Sequence, residues 1–440
     1  MNLPLKRTVE KLDNGMRLIL LEKPGFHRSL FMMVIPAGAL NIQEETDGNR
    51  VVHPSGVAHY LEHQMFQLNG EDVTGAFAAM QAQTNAYTSY ERTCYYFTTN
   101  GAYEKPLKLL MDFVLNLEIS DKSVNKERGI ILSEYNMYEQ DPDMRLVREM
   151  MRSLFHTFPM KLDILGTPED IESMQVEDLE SFYRTYYDPS QVTLIAIGGF
   201  DSSRLEDQIK ELAVNYPAKL EKTPSLVFDQ ESDELVRENY ELEMDVEIPY
   251  AMLGVKMKPE GTLEENDRKD WMLNLWLTGT FSGFNPHYED WIRQGILNYG
   301  ADAEADLNDK YAILLFSTQT EKPQEFYALC KEILEKREPL SEKTFQAVKT
   351  HYIAQTLREV DSFDALASQH ARWSQGGLDP LEEIALLESL EAGQVNDYIR
   401  TLDFSRISTV TIYPDQSFQD DLEEEGEEES SMSETEENAA

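Results

Sequence analysis

The chain has 440 residues, 41% hydrophobic and 27% charged, and 81 Asp and Glu against 39 Lys and Arg give a formal net charge of −42 at pH 7. That length exceeds what one core usually supports, so two domains are expected, and so acidic a chain disfavours nucleic acid and membrane surfaces as partners while attracting cationic peptides. Cys94 and Cys330 show no C-x-x-C spacing, which argues against a disulfide framework or a thiolate metal site; with no apolar run long enough to span a membrane and no signal-like or transit-like N-terminus, the expectation is a soluble, cytoplasmic protein.

Alternation on either side of Asn14-Gly15 predicts a hairpin over residues 8–22, followed by a buried strand over 29–39. A polar stretch then ends in Pro54-Ser55-Gly56, and after this breaker comes His59-Tyr60-Leu61-Glu62-His63. On a helix these positions are spaced i, i+3 and i+4, so both imidazoles and the carboxylate leave one face. Two neutral imidazoles one turn apart suit a zinc ion, and a carboxylate just before the second reaches the attacking water as general base without ligating the metal. His-x-x-Glu-His is the inverzincin order.

A helix over roughly 71–81, strands over 85–89 and 93–98, and helices over 104–117 and 121–140 come next. On the last of these, Glu127 and Glu134 are seven apart and share a face. Glu134 is the expected third zinc ligand, and Glu127, two turns earlier, the group that supports a ligand or the bound water. Helices to about 157 and over 168–186, then a strand over 192–197, complete a first domain, residues 1–217. The aperiodic polar segment 218–236 reads as a linker.

The pattern then returns in a second domain, residues 237–415. Ser120-Asp121-Lys122 is matched by Ser341-Glu342-Lys343, an offset of 221, and residues 169–197 are echoed by 382–413 as two helices and a strand. At that offset Glu134 falls on Gln355 and Glu127 on Val348, so the second copy is expected to hold no metal. Residues 420–440 carry eleven of the Asp and Glu residues and no Lys or Arg, leaving −31 on the remainder, and 416–440 reads as a disordered acidic tail.

Three blocks, HYLEH at 59–63, NAYTSYERTCYYF at 85–97 and ERGIILSE at 127–134, resemble the insulinase/pitrilysin family of zinc metallopeptidases, in particular its short members similar to processing peptidases. The resemblance implies an α+β fold of two homologous α/β domains, each a mainly antiparallel sheet covered by helices. It further implies Zn²⁺ on His59, His63 and Glu134, with Glu62 as general base and Glu127 in support. Asn85, Ala86, Tyr87 and Thr88 would form the edge strand that takes an extended peptide by β-addition. The family supplies an Arg and a Tyr, seven residues apart, to stabilise the oxyanion; here Arg293 and Tyr299 are six apart and can converge only if the chain breaks at Gly295. The implied activity is that of a zinc endopeptidase cleaving peptides in a chamber closed by a second subunit, identical or related. The alternative is a non-catalytic assembly subunit of the same family.

Overall fold

A computed structural model describes residues 6–68 and 71–415. The acidic segment 416–440 lies outside the described residues. The N-terminal hairpin forms as its turn chemistry requires, with Lys6–Lys11 antiparallel to Arg17–Glu22. Gly15 takes φ +86°, and the Asn14 side chain accepts from the Met16 N–H. Four more strands build a six-stranded sheet in the order Lys6–Lys11, Arg17–Glu22, Thr193–Gly198, Ser29–Ile35, Thr93–Thr99, Ala82–Thr88. Arg17–Glu22 and Thr193–Gly198 run parallel, and every other pair is antiparallel. Every residue of Ser29–Ile35 is buried, as its uninterrupted apolar run predicts.

The second half repeats this plan with five strands, Asn239–Met244, Ile407–Pro414, Tyr250–Met257, Ala312–Gln319 and Asp302–Leu307. It again has one parallel pair, Asn239–Met244 with Ile407–Pro414. The expected offset of 221 holds in the helices: Asp121–Gln140 answers to Glu342–Glu359, with Ser120 and Ser341 as their N-caps. Helices fill one face of each sheet, and two separate cores result.

The other face of each sheet is covered by a helix from the opposite half. Leu146, Met150, Met151 and Leu154 of helix Pro142–Leu154 pack on Met252, Ile313, Leu315, Val410 and Ile412 of the second sheet. Reciprocally, Phe363, Leu366, Ala367 and Ala371 of helix Phe363–Ser374 pack on Ile19, Leu21, Leu30, Met32, Ile195 and Ile197 of the first. These two helices start at equivalent places, 142 and 363, so the exchange is symmetric. Residues 218–236 cross between the halves and are pinned on the way. Leu226 and Ser225 pair with Glu44 and Glu45, and Glu231 accepts backbone N–H groups of His156, Thr157 and Phe158 while binding Lys256 on the second sheet. Among the described residues no helix is long and apolar enough to cross a membrane.

Candidate metal centre and peptide cleft

The motif lies on helix Val57–Met65, which begins at Gly56. Gly56 has φ +78°, and a Cβ there would sit 2.0 Å from the Leu165 carbonyl oxygen, so only glycine lets the helix start against that loop. The second contributing helix, Asp121–Gln140, buries Val124, Glu127, Ile131 and Tyr135. Glu127 therefore occupies a place on the apolar stripe, and this sets its carboxylate facing the first helix. The two helices are tied together by the Tyr60 hydroxyl donating to the Val124 carbonyl at 2.6 Å and by the Gln64 amide donating to Ser123.

Three ligand-type atoms, one each from His59, His63 and Glu134, lie within 4.8 Å of one another. Among the described residues this is the one cluster able to hold a metal. Glu134 Oε2 is 3.4 Å from His63 Nε2 and 3.8 Å from His59 Nε2, and Glu127 Oε2 is 3.5 Å from His63 Nδ1. The donor set of two imidazoles and one carboxylate suits zinc with a place left for water. Burial, reinforced by His63, drives the His59 pKa down to about 4, so this imidazole is neutral and free to ligate. The His63 imidazole is held above its usual range: burial pulls it down, but Glu134, Glu62 and Glu127 outweigh that. A hydrogen bond from His63 keeps the Glu134 carboxyl low and ionised. The residues present fit the ion.

Glu62 is directed beside this cluster. Burial raises its pKa, opposed by a hydrogen bond of 2.7 Å from the Thr88 hydroxyl. A carboxylate pushed up by burial is a stronger base, which is what accepting a proton from water needs. Thr88 belongs to strand Ala82–Thr88, the free edge of the sheet, so the proposed base and the proposed peptide edge are in direct contact. On that strand Asn85 points outward and its side chain accepts from the Ala86 N–H. Ala86, Tyr87 and Thr88 line a cleft of about 470 Å³ together with His59, Glu62, His63 and Glu134. Its far wall is Tyr138, Met144, Val147, Arg148 and the 160–165 loop. Arg148 holds that wall together by binding Glu139 and, at 2.5 Å, Asp163.

Arg293 and Tyr299 are not brought to this cleft. The chain does break between them, at Gly295 with φ +70°, but the helix that ends at Arg293 turns its guanidinium to solvent and onto Asp290. Tyr299 is 77% exposed. Three contributors are absent from the sequence reading: the hydroxyl role of Thr88, Tyr138 on Glu134, and the Arg148–Asp163 pair.

The second half carries a counterpart cleft of about 430 Å³ between helix Leu263–Thr280, edge strand Asp302–Leu307 and helix Phe363–Ser374. In place of the two histidines it presents Asp267, Asp270, Glu304, Asp306 and Glu383 with Arg372 bound to Asp267. Its edge is closed: the Asn274 side chain both donates to the Ala305 carbonyl and accepts from the Ala305 N–H, and Asp270 accepts from Leu307 N–H. A peptide strand would have to displace them.

Residues 17–168 match the family model for insulinase, peptidase family M16, and residues 173–352 match the model for the peptidase M16 inactive domain. The chain belongs to the insulinase family. It is 27% identical over 397 residues to the Bacillus subtilis protein named uncharacterized zinc protease YmfH, spanning 89% of this chain and 92% of that one. A crystal structure from Alicyclobacillus acidocaldarius described as M16-like superposes with TM-score 0.89 at 25% identity, covering 94% of this chain and 100% of the other. The fold also recurs in the periplasmic protease PqqL of Escherichia coli, TM-score 0.70 at 20% identity, where 96% of this chain spans 49% of that one.

Proposed function

We propose that the protein is a zinc-dependent endopeptidase that binds an extended peptide along Ala82–Thr88 and cleaves it at the His59–His63–Glu134 centre. The single observation that carries the reading is the contact of one residue, Glu62, with both sides of the reaction: it neighbours the metal-ligand cluster and accepts from Thr88 on the open strand edge. Zinc, when bound, lowers the pKa of a water toward neutrality and polarises a carbonyl. His59 enters neutral, and Glu134 ionised, so both are ready to hold the ion. Glu62 takes the proton of the attacking water and delivers it to the leaving amine. The edge strand contributes main-chain hydrogen bonds, which register a peptide without reading its sequence.

The oxyanion donors are assigned to a second subunit, identical or related, that closes a chamber over the cleft in the cytoplasm. The exposure of Arg293 and Tyr299 away from the cleft supports this, as does the PqqL fold, in which a unit of this size accounts for half the chain. The acidic surface favours basic peptides as substrates.

The test is metal analysis of the purified chain together with digestion of a mixed peptide library, with and without chelator, for wild type and Glu62→Gln. Wild type carries zinc and cleaves in a chelator-sensitive way, at a rate that rises when its partner subunit is present; Glu62→Gln keeps the zinc and loses cleavage. Turnover that survives Glu62→Gln sinks the assignment of the base, and a zinc-free wild type sinks the whole reading.

A further inference from the structure

The two carboxylate oxygens of Glu134 are engaged differently. Oε2 faces both imidazoles, at 3.4 Å from His63 Nε2 and 3.8 Å from His59 Nε2. Oε1 faces away and accepts a hydrogen bond of 3.1 Å from the Tyr138 hydroxyl. Tyr138 lies one turn further along the same helix, so the pair is fixed by helix geometry, and its half-buried ring forms part of the cleft wall. A carboxylate can bind a metal through one oxygen or through both. The second mode fills a coordination place that hydrolysis needs for water and the substrate carbonyl.

We propose that Tyr138 is a positioning residue that occupies Glu134 Oε1 and so confines Glu134 to ligation through Oε2 alone. The inference rests on the zinc reading above and deepens it: the phenol keeps the metal's open place open, and it orients the ligand carboxylate as hydrogen-bonded outer groups do for ligating residues generally. Nothing in it requires Tyr138 to touch the substrate. Removing the hydroxyl leaves the carboxylate to be ordered by the metal itself, at a cost in affinity, and leaves Oε1 free to approach the ion.

Three chains are compared at full length: wild type, Tyr138→Phe and Tyr138→Gln, the last keeping a donor without the ring. Zinc affinity is measured by competition with a chromophoric chelator, and the cobalt-substituted forms are examined by visible absorption, whose d–d bands weaken when coordination number rises. Tyr138→Phe should bind zinc about 10- to 100-fold more weakly, with altered cobalt bands and with the metal-free melting temperature unchanged; Tyr138→Gln should recover part of the affinity. A merely structural role would move the metal-free melting temperature and leave the cobalt bands alone, and that result overturns the proposal. So does zinc affinity within twofold of wild type in Tyr138→Phe, or equal losses in the Phe and Gln variants. Failure of wild type to bind zinc at all would instead refute the underlying reading, so the two failures are distinct.

Discussion

Met150 offers a quantitative test of how the halves are joined. It is fully buried on helix Pro142–Leu154, between that helix and the second sheet. Directly opposite, a Cβ added to Gly254 would lie 2.4 Å from Met150 Sδ and 3.0 Å from its Cγ. Met150→Ala deletes three heavy atoms from a slot bounded by a helix and a sheet, neither of which collapses easily, and should cost about 2–5 kcal/mol. Gly254→Ala forces a methyl against the thioether and should cost about 1–3 kcal/mol, the flexible Met end yielding in part. Together they should cost less than their sum by about 1–3 kcal/mol, because the new methyl enters the space the thioether has left. The assay is urea denaturation of the four chains, read by midpoint and slope. Costs that add to within about 0.5 kcal/mol would mean that the two residues do not meet, and the helix would not then be seated on the second sheet. The same helix turns Met144, Val147 and Arg148 toward the metal cleft, so Met150→Ala should also reduce peptide turnover with zinc retained.

Two further outcomes concern charge. Glu231→Ala strips the partner from three consecutive N–H groups and removes the charged one of the three acceptors of Lys256, leaving the Ser232 and Glu234 carbonyls; the loss should be about 1.5–3 kcal/mol by urea denaturation, typical for hydrogen bonds to a charged group, and a change below about 0.5 kcal/mol would contradict the pinning of 218–236. Asp270 has its pKa pushed up to about 8, chiefly by burial and secondarily by Asp306. The folded state thus keeps a proton that the unfolded chain gives up near pH 4. Its contribution to stability therefore declines as pH rises from about 4 to about 8 and is level above that. Asp270→Asn should flatten the stability curve between pH 5 and 8 relative to wild type, and parallel curves for the two chains would rule the assignment out.

What the sequence disclosed about the site was the part governed by local periodicity. His59, Glu62 and His63 share a helix face, and Glu127 and Glu134 share another, because both spacings are multiples of a turn. Tyr138 was within the same reach, four residues beyond Glu134, but a tyrosine on an amphipathic helix looks like ordinary core until its partner is known. The Thr88 contact was not accessible, since it crosses from strand to helix over 26 residues. Counting residues between Arg293 and Tyr299 located the break at Gly295 but not the direction of the side chains, which the end of helix Tyr288–Arg293 decides. In the fold, the hairpin, the buried strand and the repeat were legible. Helix Ser202–Ala213 is not among the expected elements, although Leu205, Ile209 and Ala213 lie on one face. The exchanged helices were illegible in principle, because an apolar stripe shows that a helix has a buried face and not which sheet will cover it.

The exchange makes the polypeptide a tethered dimer. Each half donates one helix and receives the equivalent one, 221 positions away, so a single unit of about this repeat length pairing with its own copy would satisfy the same contacts. Expressed apart, the halves should behave as obligate subunits: each would expose one uncovered sheet face and one homeless helix, and would need the other at sufficient concentration to fold. Fusion removes that concentration dependence and also the requirement that the two copies be alike. One copy could then keep His59, His63 and Glu134, while the other placed Gln355 and Val348 at the equivalents of Glu134 and Glu127 and plugged its own strand edge with Asn274.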